Sequence, residues 1–323
     1  MQSWWLDAGT DPPRMLLRDV DRPVPGAGQV LLRMRAVGLN RGEFIVGGLS
    51  KAGTAKPLGI EGAGEVVAAG PGANRYATGA RVMGRFPGGL AEYAVANETD
   101  LLPLPDGLGW EAAGALPVTF MVAHDMVLLQ GGLKPDDWLL VAGITSGVGV
   151  ASLQIAHAIG ARVIGTSRSA DKLQKLQALG LDVAVCTSNA DLYPAVMQAT
   201  AGAGVALAIN AIGGSVFAEC MRCLAYEGRL ATVGYVDGRL QAPLDLQALH
   251  AKRLVLFGVS NKMTTPQQKA LAVRRFEQDL MPLVASGRLR PIVERTFGFD
   301  DALAARALME SDAHTGKIVV TMP

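Results

Sequence analysis

A glycine-rich turn in the middle of the chain has the residue types that bind a pyrophosphate. The apolar run 139–142 leads into Gly143-Ile144-Thr145-Ser146-Gly147-Val148-Gly149, and an apolar helical stretch follows. Glycines let the backbone approach a phosphate, and a helix N-terminus offers unpaired N–H groups with a partial positive charge. A tight strand–helix turn without a ligand is the alternative interpretation. The position between a strand and a helix favours a dinucleotide site.

The residues after the next predicted strand indicate which dinucleotide. That strand ends at Ser167 and Arg168, and Lys172 follows one helical turn later. An NAD site usually has a carboxylate about 20 residues past the turn, which binds the ribose 2′-hydroxyl. A hydroxyl and two cations suit a 2′-phosphate instead. The alternative is a solvated basic helix start; the pattern favours NADPH over NADH.

The chain lacks the spacing of a metal site. Its four histidines are scattered, and Cys220 and Cys223 form a single C-x-x-C pair in a predicted helix, with no second pair nearby. Catalytic zinc takes three protein ligands and keeps one position open. We therefore expect no metal, and we assign the histidines to helix packing or to the surface.

The order of predicted elements indicates two domains. Between residues 138 and 258, short apolar runs alternate with helical stretches, as in a doubly wound parallel sheet. The predicted strands there are 138–143, 162–166, 183–185, 206–209, 229–233 and 254–258. The earlier runs 30–37, 62–70, 79–84 and 90–95 lie between Gly and Pro turns and predict an antiparallel β-rich domain.

The remaining segments complete this division. We predict a helix from about Trp110, a longer helix over 117–129, one long helix after Thr265, and two strands at 292–297 and 316–320. These last pieces are expected to return to the first domain. The fold class is α/β, with a β-rich domain over 1–118, completed by 260–323, and a Rossmann domain over 119–259.

Composition limits the possible partners. The chain has 323 residues, 18% of them charged, and a net charge of +1. We expect no nucleic-acid partner, because there is no large basic field, and no membrane span, because no apolar run approaches about 20 residues. Three cysteines do not make a disulfide framework, and the N-terminus lacks a signal-peptide pattern. A cytoplasmic location is expected.

Together these motifs resemble the medium-chain dehydrogenase/reductase superfamily, in its zinc-free, quinone oxidoreductase-like branch. The resemblance covers nearly the whole chain. The family's P-x-G-x-E-x-x-G-x-V stretch is matched by Pro57-Leu58-Gly59-Ile60-Glu61-Gly62-Ala63-Gly64-Glu65-Val66. Further matching segments are 37–43, 112–118, 208–214, 228–234 and 316–320.

The resemblance implies a GroES-like β-domain joined to a Rossmann domain, with cofactor and substrate meeting in the cleft between them and two copies of the chain pairing as a homodimer. At the places of the zinc ligands this chain has Asn40, Ile60 and Glu61. The family's cofactor contacts map onto Asn40, Thr145, Ser146, Gly147, Val148, Ser167, Arg168, Lys172, Asn210, Ala211, Gly234, Tyr235, Phe257, Val259 and Lys317.

One departure concerns the turn itself. The usual turn of this branch has a glycine where this chain has Ser146. Two outcomes are open: the serine Cβ crowds the pyrophosphate, or its hydroxyl donates to it.

The chemistry expected is hydride transfer from NADPH to a quinone or an activated alkene, both small molecules. Two residues are candidate catalytic groups. Asn40 is predicted to donate an amide hydrogen bond to the developing oxygen, or to be a structural turn residue. Tyr235 is predicted to face the nicotinamide or supply a proton, or to pack at the domain junction. Glu43 is expected to be the structural partner of a nearby arginine.

Two other functions stay open. Enoyl-thioester reduction is one, because 38–43 and 57–64 resemble enoyl-reductase modules of polyketide synthases. The loop 44–55 contains no tyrosine, however, and Tyr235 stands where those modules have a lysine. A non-catalytic NADPH-binding protein is the other. The loops Gly47–Lys56 and Ser260–Pro266 are expected to select the substrate.

Overall fold

The protein is described by a computed structural model over residues 1–9, 12–44, 55–189 and 191–323. Its strands are β1 (Gln2–Asp7), β2 (Arg14–Asp19), β3 (Gln29–Gly38), β4 (Lys56–Pro57), β5 (Gly62–Ala69), β6 (Arg81–Gly84), β7 (Tyr93–Asn97), β8 (Leu101–Pro103), β9 (Trp138–Ala142), β10 (Arg162–Ser167), β11 (Val183–Cys186), β12 (Val205–Asn210), β13 (Leu224–Thr232), β14 (Val255–Gly258), β15 (Val293–Gly298) and β16 (Lys317–Thr321).

The α-helices lie between and after these strands. They are α1 (Trp110–Ala115), α2 (Pro117–His124), α3 (Gly147–Ala158), α4 (Ala170–Gln177), α5 (Tyr193–Ala199), α6 (Gly214–Arg222), α7 (Leu246–Ala251), α8 (Pro266–Asp279), α9 (Met281–Ala285) and α10 (Ala302–Glu310). Among the described residues, no helix combines the length and apolarity that a membrane crossing requires.

The chain divides into two compact units. The β-rich unit contains Met1–Val118 and Pro266–Pro323, and the parallel-sheet unit contains Thr119–Thr265. The first boundary coincides with the predicted one, and the second lies six residues beyond the predicted 259/260 boundary. The α/β fold class, with a GroES-like domain and a Rossmann domain, is confirmed.

The β-rich unit is built around β3. Val30, Leu32 and Met34 alternate along this strand and are fully buried, because one face of the strand packs on the core. The sheet runs β15-β16-β3-β5-β6-β8, with β7 also paired to β3. β16 pairs antiparallel with β3, so the end of the chain does return to this unit, as predicted. A smaller sheet has the order β2-β1-β4.

Two predictions for this unit are corrected. The one long helix expected after Thr265 is α8, but a short helix, α9, follows it, and a further helix, α10, lies between β15 and β16. Pro282 stands in the first turn of α9, where proline is favoured because the N–H it lacks has no helical acceptor. α10 buries Ala302, Ala305 and Met309, a helical spacing that was visible in the sequence. The strands β1 and β2 were also not predicted.

The parallel-sheet unit has the strand order β11-β10-β9-β12-β13-β14. All five neighbouring pairs are parallel. The chain winds outward from β9 in one direction and from β12 in the other, so the order reverses between these two strands. In open α/β sheets, ligands bind at this reversal, outside the carboxyl ends of the strands. The helix predicted over 117–129 is α2, continued by a π-helical turn at Asp125–Leu129.

Candidate functional site

The glycine-rich turn follows β9 at the strand reversal. Gly143 has a φ of +83°, a conformation that favours glycine. A Cβ on Gly149 would lie 2.5 Å from the Ile144 carbonyl oxygen, so the start of α3 packs against the turn at a distance that only glycine allows. The sequence therefore predicted the turn, and the structure adds two reasons for its glycines, the positive φ of Gly143 and the packing of Gly149.

Ser146 is the N-cap of α3. Its hydroxyl accepts from the Gly149 amide at 3.1 Å and donates to the Gly143 carbonyl oxygen at 2.9 Å. The hydroxyl is thus engaged inside the turn and not directed to a phosphate. The first N–H groups of a helix have no acceptor within that helix. The amides of Gly147 and Val148, both half-buried, are accordingly suited to a pyrophosphate.

The tip of β10 carries the residues predicted to bind the ribose. Arg168 is exposed, and Ser167 and Lys172 are half-buried. The Ser167 hydroxyl accepts from the Ser169 amide at 3.2 Å, and the Ser169 hydroxyl caps α4. The first turn of α4 therefore begins immediately after Arg168, and Lys172 lies in that turn. The donor set is cationic, which fits a 2′-phosphate.

Asn210 has a structural role in the neighbouring turn. Its Nδ2 donates to the Gly213 carbonyl oxygen at 2.8 Å, and its Oδ1 accepts from the amides of Ile212 and Gly213 at 3.0 and 2.9 Å. The side chain is fully buried. Both ends of the amide thus have a partner within this turn, and the contact of Asn210 with a cofactor stays a prediction. Ala211 is also buried, and its N–H donates to the Ala142 carbonyl oxygen.

The later predicted contacts lie at the same carboxyl edge of this sheet. Phe257 pairs with Ala231 between β14 and β13, and Val259 donates its N–H to the Thr232 carbonyl oxygen. Gly234 and Tyr235 follow β13, and Tyr235 is 45% exposed. Thr145 is half-buried in the turn after β9. Their contacts with a cofactor, and the catalytic role of Tyr235, stay predictions.

The β-rich unit contains a buried polar cluster around Asn40. Lys317 Nζ donates to three oxygens, on Leu39, Asn40 and Glu61, at 2.7, 2.8 and 2.7 Å. Lys317 and Glu61 are 4% and 0% exposed, so this ion pair is shielded from water. Glu61 also accepts from the Val118 amide at 2.7 Å. The sequence marked Asn40 and Lys317 but gave Glu61 no role beyond the family motif.

The ammonium group of Lys317 is engaged within this cluster, and its contact with a cofactor stays a prediction. An ammonium group has three hydrogens, and each has a protein acceptor in this cluster. Lys317 therefore holds Asn40 and Glu61 in place within the β-rich unit.

The hydrogen-bond partners of the Asn40 side-chain amide determine which end is Nδ2 and which is Oδ1. Its Nδ2 donates to Glu61 at 2.8 Å, to the Gly38 carbonyl oxygen at 3.1 Å and to Glu43 at 3.3 Å. Its Oδ1 accepts from Lys317, which can only donate. Both amide hydrogens have protein acceptors, which favours the alternative of a structural turn residue, and donation to a substrate oxygen stays a prediction. The acceptor capacity that remains on this side chain belongs to Oδ1.

Glu43 belongs to this cluster and is not the partner of an arginine. Its carboxylate accepts from the amides of Asn40 and Gly59 at 3.0 and 2.7 Å. The nearby Arg41 pairs instead with Asp312. Burial raises the pKa of Glu43 to about 7, against the opposing effects of the Gly59 hydrogen bond and of Lys317.

The residues at the places of family zinc ligands do not form a zinc site. Ile60 has no donor atom, and Asn40 and Glu61 are bound to Lys317. Among the described residues, no group of three or more His, Cys, Asp or Glu side chains could hold a metal ion. Cys220 and Cys223 are buried in an apolar cluster, and burial raises the pKa of Cys223 to about 12, which disfavours a reactive thiolate.

The comparisons with known proteins agree with this architecture. Residues 26–106 match the alcohol dehydrogenase GroES-like domain, and residues 147–278 match the zinc-binding dehydrogenase domain. The chain is 28% identical over 268 residues to a quinone oxidoreductase-like protein 2 homolog of Nematostella vectensis, covering 81% of this chain and 72% of the relative.

A second relative is much longer. The chain is 31% identical over 312 residues to a phenolphthiocerol/phthiocerol polyketide synthase of Mycobacterium tuberculosis, covering 95% of this chain but 14% of that protein. Other matched polyketide synthases are likewise spanned over only 5 to 14% of their length.

A solved structure resembles the whole chain. The mycobacterial protein Rv1454c, complexed with NADPH, superimposes with a TM-score of 0.89 at 26% identity, covering 99% of this chain and 100% of that one. With both family domains matched, and with the strand order and glycine turn of a dinucleotide-binding sheet, the chain belongs to the medium-chain dehydrogenase/reductase superfamily, in its quinone oxidoreductase-like branch.

Proposed function

We propose that this chain is an NADPH-dependent, zinc-independent oxidoreductase that delivers hydride to a quinone or another activated α,β-unsaturated carbonyl. The observation that carries the proposal is the pairing of a pyrophosphate-type turn with a cationic tip on β10. The turn is followed by Ser167, Arg168 and Lys172 where an NAD site has a carboxylate. The NADPH bound to the similar Rv1454c protein supports the choice of cofactor.

Different residues of the parallel-sheet unit would bind the two phosphate-bearing parts of the cofactor. The amides of Gly147 and Val148 bind the pyrophosphate, and Arg168 and Lys172 bind the 2′-phosphate by charge-assisted hydrogen bonds. NADPH supplies the hydride, and the protein orients it and excludes water. Tyr235 is proposed to face the nicotinamide or to supply the proton that completes the reduction.

Asn40 is proposed to act as a hydrogen-bond acceptor in the β-rich unit. Because its amide hydrogens are taken by Glu61, Gly38 and Glu43, it offers Oδ1 to a donor group on the cofactor or substrate. Lys317 keeps this orientation, since an amide turned the other way would place two donors together.

Enoyl-thioester reduction is the second candidate. It is favoured by the similarity to polyketide synthases, both in the motifs between Gly38 and Gly64 and in the match that covers 95% of this chain. The same hydride chemistry applies, with an enoyl thioester as the acceptor. The absence of a tyrosine from residues 44–55 argues against it; most of the loop Gly47–Lys56, which we expect to contact the substrate, lies outside the described residues.

The deciding measurement is cofactor consumption with a panel of acceptors. Purified protein is mixed with NADPH or NADH and with ortho-quinones, para-quinones or crotonyl-CoA. Quinone-dependent oxidation of NADPH, with NADH much slower, is the expected result. Turnover with crotonyl-CoA alone would select the enoyl reductase. NADPH binding without turnover of any acceptor would leave a binding protein, and absence of NADPH binding would contradict the proposal.

Two properties of the whole protein belong to the same proposal. We propose a homodimer formed through β14, which is the edge strand of its sheet and pairs only with β13 among the described strands. An unpaired edge is a ready template for a second copy. The free thiols of Cys186, Cys220 and Cys223 fit the reducing cytoplasm, which is the proposed location.

A further inference from the structure

Glu43 ties two separate segments of the β-rich unit together. One carboxylate oxygen accepts from the Asn40 amide at 3.0 Å, and the other accepts from the Gly59 amide at 2.7 Å. The first oxygen also receives the Asn40 side chain, at 3.3 Å. Asn40 begins the short helical turn Arg41–Glu43, and Gly59 precedes β5. The position of Asn40 is therefore set by Glu43 through both its backbone and its side chain.

The partners of Glu43 favour only its ionised form. All three contacts are N–H donors, and a carboxylate can only accept. A protonated carboxyl has to place its own hydrogen, and none of these three groups accepts it. Uptake of a proton therefore weakens these contacts, because a neutral carboxyl accepts hydrogen bonds less strongly than a carboxylate.

Burial and the surrounding charges bring the protonated and ionised forms of Glu43 close in free energy near neutral pH. Burial and the nearby Glu61 carboxylate oppose ionisation of Glu43, and Lys317 and the hydrogen bonds favour it. The Arg85 guanidinium also interacts with the Glu61 charge, and burial lowers the pKa of this guanidinium. Arg41, on the same turn as Glu43, is occupied by Asp312. Lys317 is thus the positive charge that acts directly to keep the proton off Glu43.

We propose that Glu43 is a positioning residue of the Asn40 site, whose ionised carboxylate holds the Asn40 amide in place and whose protonation releases it. The functional part rests on the proposed oxidoreductase activity. Glu43 does not touch the substrate in this arrangement; it acts through Asn40. Turnover near neutral pH then depends on the ionisation of Glu43, which contacts Asn40.

The first test observes Asn40 directly, without any substrate. Two-dimensional NMR of the full chain, labelled on asparagine and glycine, follows the Asn40 side-chain amide and the Gly59 backbone amide as the pH is raised. Both signals are expected to shift together, with a midpoint of about 7. In Glu43→Gln, which is neutral at every pH, both are expected to stay at their low-pH positions. The matched control is Glu65→Gln, on β5 in the same unit, which should titrate as the wild type does.

The second test measures turnover over the same pH range. In the wild type, kcat/KM is expected to fall as the pH drops below about 7. At high pH, the kcat/KM of Glu43→Gln is expected to be about tenfold below that of the wild type, as for the loss of a charge-assisted hydrogen bond. It should not fall further as the pH is lowered. Glu43→Asp keeps the carboxylate and is expected to recover part of the rate and the pH dependence. Glu65→Gln should match the wild type.

The outcomes separate the two proposals. If the two NMR signals do not move with pH, or move equally in Glu43→Gln, the positioning role is overturned. If they move but no acceptor is turned over, the proposed function fails and the hold of Glu43 on Asn40 stands. If turnover occurs with a pH profile unchanged in Glu43→Gln, Glu43 has a structural role only. Should Glu43→Gln not fold, the wild-type titration and Glu43→Asp still decide between these outcomes.

Discussion

At the scale of single residues, the choice between two nearly identical cofactors depends on a few side chains. NADPH differs from NADH by one phosphate, so the groups at the tip of β10 decide the preference. Arg168 offers a planar, permanently charged guanidinium and Lys172 a mobile ammonium. Both cations bind a 2′-phosphate more strongly than a ribose that carries only a 2′-hydroxyl.

We predict that Arg168→Ala and Lys172→Ala each weaken NADPH binding about tenfold or more, because a hydrogen bond to a charged group contributes about 1.5–3 kcal/mol. NADH binding should change little. Fluorescence titration with both cofactors measures the effect. Lys175→Ala, exposed on the same helix, is the control and should leave both affinities unchanged. Equal losses for the two cofactors would contradict the assignment.

Glu43 also makes a prediction for stability. Its pKa rises from 4.5 to about 7 on folding, so the folded chain holds the proton more tightly than the unfolded chain. The free energy of unfolding should therefore fall as pH rises between these values and then level off. At about 1.4 kcal/mol per pH unit, the loss amounts to about 3 kcal/mol.

Urea unfolding at about pH 5 and about pH 8 checks this sign. The stability of the wild type relative to Glu43→Gln should be higher at the lower pH. The comparison between variants removes the contribution of the other carboxylates, which both proteins share. The same difference at both pH values would show that Glu43 does not titrate in this range.

At the scale of elements, the start of α3 combines packing and binding. Ser146 caps the helix and braces the turn through Gly143, while the next amides are left to an anion. Ser146, which stands where the family usually has a glycine, thus adds a capping hydrogen bond to the turn.

Loss of that cap gives a graded prediction. Ser146→Ala should lower the free energy of unfolding by about 1 kcal/mol, because the Gly149 amide loses its acceptor, whereas Ser146→Gly should cost only a few tenths. Thermal unfolding of the two variants measures the difference. Since the hydroxyl is engaged within the turn, NADPH affinity should be kept in Ser146→Gly. A large loss of affinity there would indicate that the hydroxyl contacts the phosphate.

At the scale of the whole molecule, the parallel sheet ends in a strand with one side unpaired among the described residues. β14 carries Val255, which is 39% exposed. Edge strands of this kind are blocked in monomers by charged side chains, lysine above all.

We predict that Val255→Lys prevents or strongly weakens the proposed dimer, because a charge on the edge strand would be buried without a partner when two copies pair. Size-exclusion chromatography with light scattering measures the mass in solution. Val24→Lys is the control, since Val24 is 86% exposed in the β-rich unit. A wild-type monomer, or a dimer unaffected by Val255→Lys, would rule out this interface.

The sequence by itself determined the features whose signals lie within a short stretch of chain. The alternation of strands and helices from Trp138 to Gly258, the glycine turn and the cationic tip of β10 each depend on signals that span about 20 residues or fewer. Local backbone preference and periodicity are enough to specify such elements. Proline within the C-terminal helices and the short strands β1 and β2 were weaker signals, and the predictions there were incomplete.

Only the tertiary structure decided what the individual side chains do. Lys317 reaches Leu39 and Glu61 across 278 and 256 residues of chain, and through this contact it supports Asn40, a role that the sequence did not predict. The same cluster engages the amide hydrogens of Asn40, and a local turn engages both ends of the Asn210 amide. Whether a polar group is free depends on which partners the fold brings to it, because a buried donor must be paired wherever its partner lies in the sequence.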